Sequence, residues 1–340
     1  MNVWPLPCIT FRALSSVQES HPVALITSPA AWALARPSLQ LPVVVQAEPT
    51  EATQEYCAYL AAHMPSAEEA IYAVGDGLTL DVGRMVAHQA RRPLTIVPTL
   101  LSTDRAFAPD AALSADGKAQ LVATGPADEV IVDLDTLRIG PAHHRAAAIV
   151  DVIAIVTALM DWEYAEQKQQ NEAETHYLPW AAGAAAALAG QALKIATPLG
   201  QGDTGAFKTL IELLCMMIQL NNLLGHRRAS QGIAHIFAEA VVPNATVVEL
   251  SHAERVAPGI LLAAALYKKN TAGLRTALEA AGVRLTQLKP EDIRATFNAL
   301  PDYAREHHKP YSILNDLSGG SNELAEALAR STLMPDSVGG

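Results

Sequence analysis

The chain has 340 residues and a formal net charge of −11; half of its residues are hydrophobic and 17% are charged. That length points to two domains with sizeable cores, and the acidic balance leaves no electrostatic footprint for nucleic acid or for an anionic membrane. Cys8, Cys57 and Cys215 stand apart with no Cys-x-x-Cys spacing, which excludes a disulfide framework and a cysteine metal cluster and fits a reducing, cytoplasmic setting. Met1 to Pro7 lacks a basic stretch followed by an apolar one, so no signal peptide is expected.

In chain order, Ile9 to Arg12 reads as an edge strand and Pro22 to Ser28 as a buried strand ended by a turn. A helix near Ala30 to Arg36 follows, then a strand over Leu41 to Gln46, and helical periodicity over Glu51 to His63. Ala70 to Gly75 is predicted as a strand running into Gly75-Asp76-Gly77, with a helix from Leu78 to Arg91 behind it. Leu94 to Pro98 and Glu129 to Leu134 complete the strands. Strands alternating with helices imply a parallel α/β sheet with helices on its faces.

After about Pro141 the strand signals stop. Helices are predicted over Arg145–Lys168, Pro179–Ala196, Gly205–Leu224, Gly232–Ala240, His252–Lys269, Leu274–Ala281, Pro290–Leu300 and Ser321–Ser331. The Ala-rich stretch from Ala181 to Leu193 is too short to span a bilayer and reads as a buried helix. The expected organisation is an α/β, Rossmann-like domain over residues 1–141 and an all-α domain over residues 142–340.

Three features carry chemistry. Gly75-Asp76-Gly77 joins a strand to a helix, where glycines let a phosphate approach backbone N–H groups at a helix N-terminus; a plain turn would use the same residues. Thr99, Ser102, Thr103 and Asp104 follow the next strand, at the end where α/β proteins place ligand contacts, although Ser, Thr and Asp also cap helices. His235 and His252 lie 17 positions apart in apolar, helix-like contexts, with Pro243 and Asn244 marking a break between them. Two helices could thus bring two imidazoles to one metal. A third ligand is needed, and Asp151, a lone acid in an apolar run, is the candidate. An isolated histidine on an apolar face is also commonly a satisfied core residue, and no His-x-x-x-His or His-Glu-x-x-His pattern is present.

Taken in order, Gly75 to Arg84, Val97 to Asp104, Asp133 to Leu137, Asp151 with Leu159 to Glu163, Arg227 to His235, Ser251 to Gly259 and Tyr311 to Asp316 resemble the dehydroquinate synthase-like superfamily. That superfamily includes the iron- or zinc-dependent alcohol and glycerol dehydrogenases, and the resemblance is greatest to its sn-glycerol-1-phosphate dehydrogenase branch. It implies a dinucleotide-binding α/β domain followed by a helical domain holding one divalent metal, Zn²⁺, Fe²⁺ or Ni²⁺, on Asp151, His235 and His252. It implies NAD or NADP at Gly75, Asp76, Gly77, Thr99, Ser102 and Thr103, and a small polyol or polyol phosphate as substrate. In that frame Asp104 orients substrate hydroxyls, Arg227 or Arg228 holds a phosphate unless both are solvated surface, and Glu254 supports His252 or forms a surface salt bridge. A homodimer is expected. The chain departs from the family where Asp76 replaces a Gly or Ser, where Arg84 replaces a Lys, and where Glu239 replaces a second His. A cyclase or lyase acting on a sugar phosphate, as in dehydroquinate synthase, and a member with weak or no NAD binding are the other readings.

Overall fold

The computed structural model describes residues 3–115, 118–145, 147–241 and 250–333. It divides into two compact units, residues 2–145 and residues 146–340. The break predicted at Pro243 and Asn244 lies outside the described residues.

In the first unit the strands are β1 (Cys8–Phe11), β2 (Val23–Thr27), β3 (Val43–Ala47), β4 (Ala70–Gly75), β5 (Leu94–Pro98), β6 (Asp110–Ala115), β7 (Lys118–Ala123) and β8 (Glu129–Val132). Its helices are α1 (Pro29–Ala35), α2 (Gln54–Ala62), α3 (Gly77–Ala90), α4 (Leu134–Ile139) and α5 (Ala142–Arg145). Six strands form one parallel sheet in the order β1-β8-β5-β4-β2-β3. β2 and β4 are buried at nearly every position, as strands covered on both faces must be. The strand order reverses between β2 and β4, since β3 lies outside β2 while β4 lies on its other side. Doubly wound sheets bind ligands at that reversal, beyond the C-terminal strand ends, and β4 ends there at Gly75.

Two strands were not foreseen. β6 and β7 form a separate antiparallel hairpin between β5 and β8. Its sequence is rich in Ala, a poor strand former, and its apolar alternation is weak. The hairpin is fastened by charge. Asp81 on α3 accepts a bond from the Ala112 backbone N–H at 3.0 Å and pairs with Arg105 at 2.9 Å, while Arg105 also pairs with Asp110 at 2.7 Å. Arg84, fully buried beside them, donates to the Arg105 carbonyl at 2.6 Å. Burial and the neighbouring Arg105 charge pull the Arg84 pKa down to about 10.

The second unit contains α6 (Ile149–Ile153), α7 (Ile155–Gln167), α8 (Pro179–Gly200), α9 (Thr204–Leu224), α10 (Ile233–Ala240), α11 (His252–Leu266), α12 (Ala272–Ala280), α13 (Pro290–Glu306) and α14 (Asn322–Arg330). The single helix expected over Arg145–Lys168 is interrupted at Ala154, so Asp151 sits on the short α6. No Pro or Gly marks that break, which is why the apolar periodicity runs through it. The core of this unit includes Ile233, Phe237, Leu262, Leu266, Phe297, Leu300 and Leu324, contributed by α10, α11, α13 and α14. By length and composition α9 could cross a membrane, and 44% of its apolar window is buried in the fold.

Candidate metal centre

Asp151 comes from α6, His235 from the first turn of α10 and His252 from the first residue of α11. The structure brings them together, with one potential ligand atom from each lying within 4.8 Å of the others. Both imidazole Nε2 atoms face one carboxylate oxygen, Asp151 Oδ1, at 3.4 Å from His235 and 2.6 Å from His252. Burial by itself would raise the Asp151 pKa. The His252 charge and the hydrogen bonds from both rings outweigh it and hold the carboxyl well below the usual range. An ionised carboxylate and two imidazoles form a donor set that suits first-row divalent metals. The three side chains therefore fit the metal that their spacing and the resemblance suggested.

Local sequence explains how two of these residues are presented. Ser251 and Glu254 form a capping box at the start of α11, each side chain bonding the other's backbone N–H. Glu254 is buried and bonds Arg284 Nε at 2.6 Å. It thus shapes the helix end that carries His252 and also pairs with the exposed Arg284. α10 has Gly232 at its N-cap and no capping side chain of its own. Asp161, a fully buried residue of α7, takes that role. Its Oδ2 accepts the Ile233 backbone N–H at 2.7 Å, and its Oδ1 accepts the Tyr267 hydroxyl at 2.8 Å. A Cβ at position 232 would lie 2.1 Å from Asp161 Oδ2, so the contact requires glycine. A Cβ at 259 would lie 2.6 Å from the Ala234 carbonyl, so Gly259 lets α11 seat directly against α10. Asp161 gives only a weak signal in the sequence, an aspartate next to a tryptophan in an apolar helix, and its role is not legible there.

Asp161 has a pH signature. Burial raises its pKa from 3.8 to about 6, against the lowering effects of the Ile233 N–H, the Tyr267 hydroxyl and the Arg228 charge. The folded state then holds this proton after the unfolded chain has released it, so this group's stabilisation falls as pH rises from about 4 through about 6. Metal-free wild type should lose melting temperature relative to Asp161→Asn across that window. A difference between the two proteins that stays constant from pH 4 to pH 7 would contradict this.

A pocket of about 220 Å³ opens beside His235, with Arg227, Arg228, Glu239 and Lys309 in its walls. The two arginines differ. Arg228 is buried, and its Nη2 donates to the Tyr311 carbonyl at 2.9 Å, to Asn171 Oδ1 at 3.2 Å and to the Asp161 carbonyl at 3.4 Å. It ties four segments together and is not solvated surface. Arg227 is half-buried, and Lys309 pairs with Glu239.

In the first unit, Gly75-Asp76-Gly77 forms the turn from β4 into α3, with φ of +155° at Gly75 and +40° at Gly77. Both glycines are used for left-handed backbone, at the strand end where the sheet order reverses. Asp76 occupies the N-cap of α3 but its side chain makes no capping bond, so its carboxylate is not consumed by the helix. Gly83, one helical stretch on, has a further role: a Cβ there would lie 2.5 Å from Ala73 Cβ, so it allows α3 to pack closely on β4. Thr99 donates its backbone N–H to the Gly75 carbonyl at 2.9 Å, which places the turn and the post-β5 loop side by side. Ser102, Thr103 and Asp104 are partly exposed on that loop, and Thr103 Oγ1 accepts the Arg105 N–H at 3.3 Å.

A doubly wound parallel sheet joined in one chain to a helical unit with a two-histidine, one-aspartate cluster defines a metal-dependent dehydrogenase type of fold. Solved structures with this fold include a glycerol dehydrogenase from Schizosaccharomyces pombe, with TM-score 0.67 at 18% identity over 97% of this chain and 90% of that one. A probable glycerol dehydrogenase from Sinorhizobium meliloti gives TM-score 0.67 at 16% identity, over 97% and 98% of the two chains. Residues 13–141 match the family model for iron-containing alcohol dehydrogenase. The glycerol-1-phosphate dehydrogenase [NAD(P)+] of Sulfurisphaera tokodaii is 30% identical over 269 residues, 77% of this chain and 73% of that protein. That of Aeropyrum pernix is 28% identical over 266 residues, 78% and 74% of the two chains. The chain belongs to the glycerol-1-phosphate dehydrogenase family. It is an oxidoreductase of this metal-containing, NAD(P)-linked kind.

Proposed function

We propose that the protein transfers a hydride between NAD(P) and a small polyol or polyol phosphate, with one divalent metal, Zn²⁺ by preference, held by Asp151, His235 and His252. The convergence of those three side chains on one point carries the reading. When bound there, the metal would supply Lewis acidity to a substrate hydroxyl, and NAD(P) would supply the hydride acceptor. The remaining work belongs to the chain. Residues 1–141 serve as the dinucleotide domain and residues 142–340 as the metal and substrate domain. The Gly75–Gly77 turn and the N-terminus of α3 receive the pyrophosphate, and Thr99, Ser102 and Thr103 offer hydroxyls to the cofactor. Asp104 accepts hydrogen bonds from substrate hydroxyls and orients them. Arg227 offers the guanidinium for a substrate phosphate; Arg228, with three internal acceptors on one nitrogen, shapes the wall behind it. The active assembly is a homodimer.

The test is turnover by the zinc-loaded protein with NADH and NADPH against a panel of small ketones and ketose phosphates, and with NAD⁺ and NADP⁺ against their reduced forms. Cofactor oxidation that needs both the metal and a phosphorylated three-carbon ketone is the expected result. No turnover with any member of the panel, in protein shown to hold metal and cofactor, would overturn the reading.

A further inference from the structure

His235 has an unusual weakness as a ligand. A metal-binding histidine ordinarily donates its other ring N–H to a carboxylate or carbonyl, which fixes the plane and tautomer of the ring. His235 Nδ1 is buried and finds no such acceptor among the described residues. Its ring is therefore placed by where α10 puts its backbone. α10 spans only Ile233–Ala240 and has no N-capping side chain of its own. Its first N–H is instead held by Asp161, 72 residues earlier in the chain.

We propose that Asp161, braced by Tyr267, is the positioning residue for His235: it anchors the first turn of α10 at Gly232 and Ile233 and so sets the metal-binding geometry. The inference rests on the metal site proposed above. Four polar contacts converge there, and Asp161 makes three of them. Its two carboxylate oxygens divide the work, Oδ2 holding α10 and Oδ1 receiving the Tyr267 hydroxyl from the residue that ends α11. The Tyr267 oxygen in turn accepts the Ile313 N–H at 3.4 Å, and Arg228 donates to the Asp161 carbonyl at 3.4 Å. One side chain thus links α7, α10 and α11, the last two being the helices that carry His235 and His252. On its other flank α10 is held by the close contact of Ala234 with Gly259. Loss of Asp161 would remove the polar anchor at the first turn of α10, beside His235, and leave only the packing of Ala234 on Gly259 there.

Asparagine separates geometry from charge. Its carbonyl can accept the Ile233 N–H and its amide can donate to the Tyr267 oxygen, so both contacts survive without a carboxylate. The experiment is calorimetric titration of Zn²⁺ into chelator-treated wild type, Asp161→Ala, Asp161→Asn and Tyr267→Phe, each shown folded by circular dichroism. Asp161→Ala should bind zinc on the order of tenfold to a hundredfold more weakly than wild type, the usual cost of losing outer support for a metal ligand. Asp161→Asn should restore affinity to within about threefold of wild type, because both hydrogen bonds are remade. Tyr267→Phe should fall between them and carries the test if the alanine variant does not fold. A lowered melting temperature with unchanged zinc affinity in Asp161→Ala and Tyr267→Phe would overturn the inference, because it would reveal a structural role only. Asparagine losing as much affinity as alanine would overturn it too. If wild type itself binds no zinc, the proposed metal site fails along with it, whereas tight wild-type binding with indifferent variants sinks only the positioning role.

Discussion

Replacing His252 by alanine should empty the metal site while leaving the fold intact. His252 is the first residue of α11, and its side chain is 28% exposed. The cap of that helix is made by Ser251 and Glu254, not by His252. The variant should therefore keep the wild-type circular dichroism spectrum. What it loses is one of three protein donors, leaving Asp151 and His235. Since loss of outer-shell support alone costs tenfold to a hundredfold in metal affinity, loss of a ligand should cost on the order of a hundredfold or more. Elemental analysis of protein purified without chelator should find about one divalent metal per wild-type chain and little in the variant. Equal metal content in the two proteins would show that the three side chains do not form the site. Catalysis should disappear with the metal and should not return on adding excess cofactor.

The second large effect is expected at Asp76, in the opposite direction. Wild type should bind NAD⁺ weakly, and Asp76→Gly should bind it several-fold more tightly. A pyrophosphate received at the Gly75–Gly77 turn would place two negative charges within a few ångströms of the residue between the glycines. A carboxylate there adds repulsion of about 1 kcal/mol at 4 Å under aqueous screening, and more where water is excluded. Each 1.4 kcal/mol, roughly, is a tenfold change in affinity. One route of relief, capping of α3 by the Asp76 side chain, is not taken, since that side chain makes no capping bond. The backbone at Asp76 is extended, with φ −147° and ψ 175°, so glycine enters without relieving strain and the gain measures the side chain itself. The advantage of the variant should shrink as salt is added. Calorimetric titration of both proteins at two ionic strengths is the measurement. Tight wild-type binding that the substitution leaves unchanged would mean that the carboxylate points away from the phosphates or is neutralised by a cation.

The alternation of strands and helices through residue 98 and the switch to helices after β8 are legible along the chain. Those elements announce themselves through short apolar runs such as Val23–Thr27 and Ala70–Gly75, bounded by turn residues. Such signals are local, because propensity and periodicity report on neighbours within about one helical turn or one strand. The Gly75–Gly77 turn was legible for the same reason. Asp151, His235 and His252 were legible as chemical types in the wrong surroundings, an acid and two imidazoles in apolar runs, and the ordered motifs of the superfamily tied them together.

Other features depend on contacts between segments distant in the chain. The β6–β7 hairpin depends on Asp81 of α3 and on Arg105, so its alanines need no strong strand preference of their own. The break at Ala154 that puts Asp151 on a separate short helix has no breaker residue to mark it. Arg228, in sequence either a phosphate holder or a solvated surface cation, is a buried tie, because its acceptors on Asp161, Asn171 and Tyr311 lie 57 to 83 residues away. Asp161 looked like part of a motif and caps a helix 72 residues on. Buried polar groups must find partners somewhere, and the demand is visible in the sequence. Which partner meets it depends on packing between elements far apart in the chain, and no local pattern records that choice.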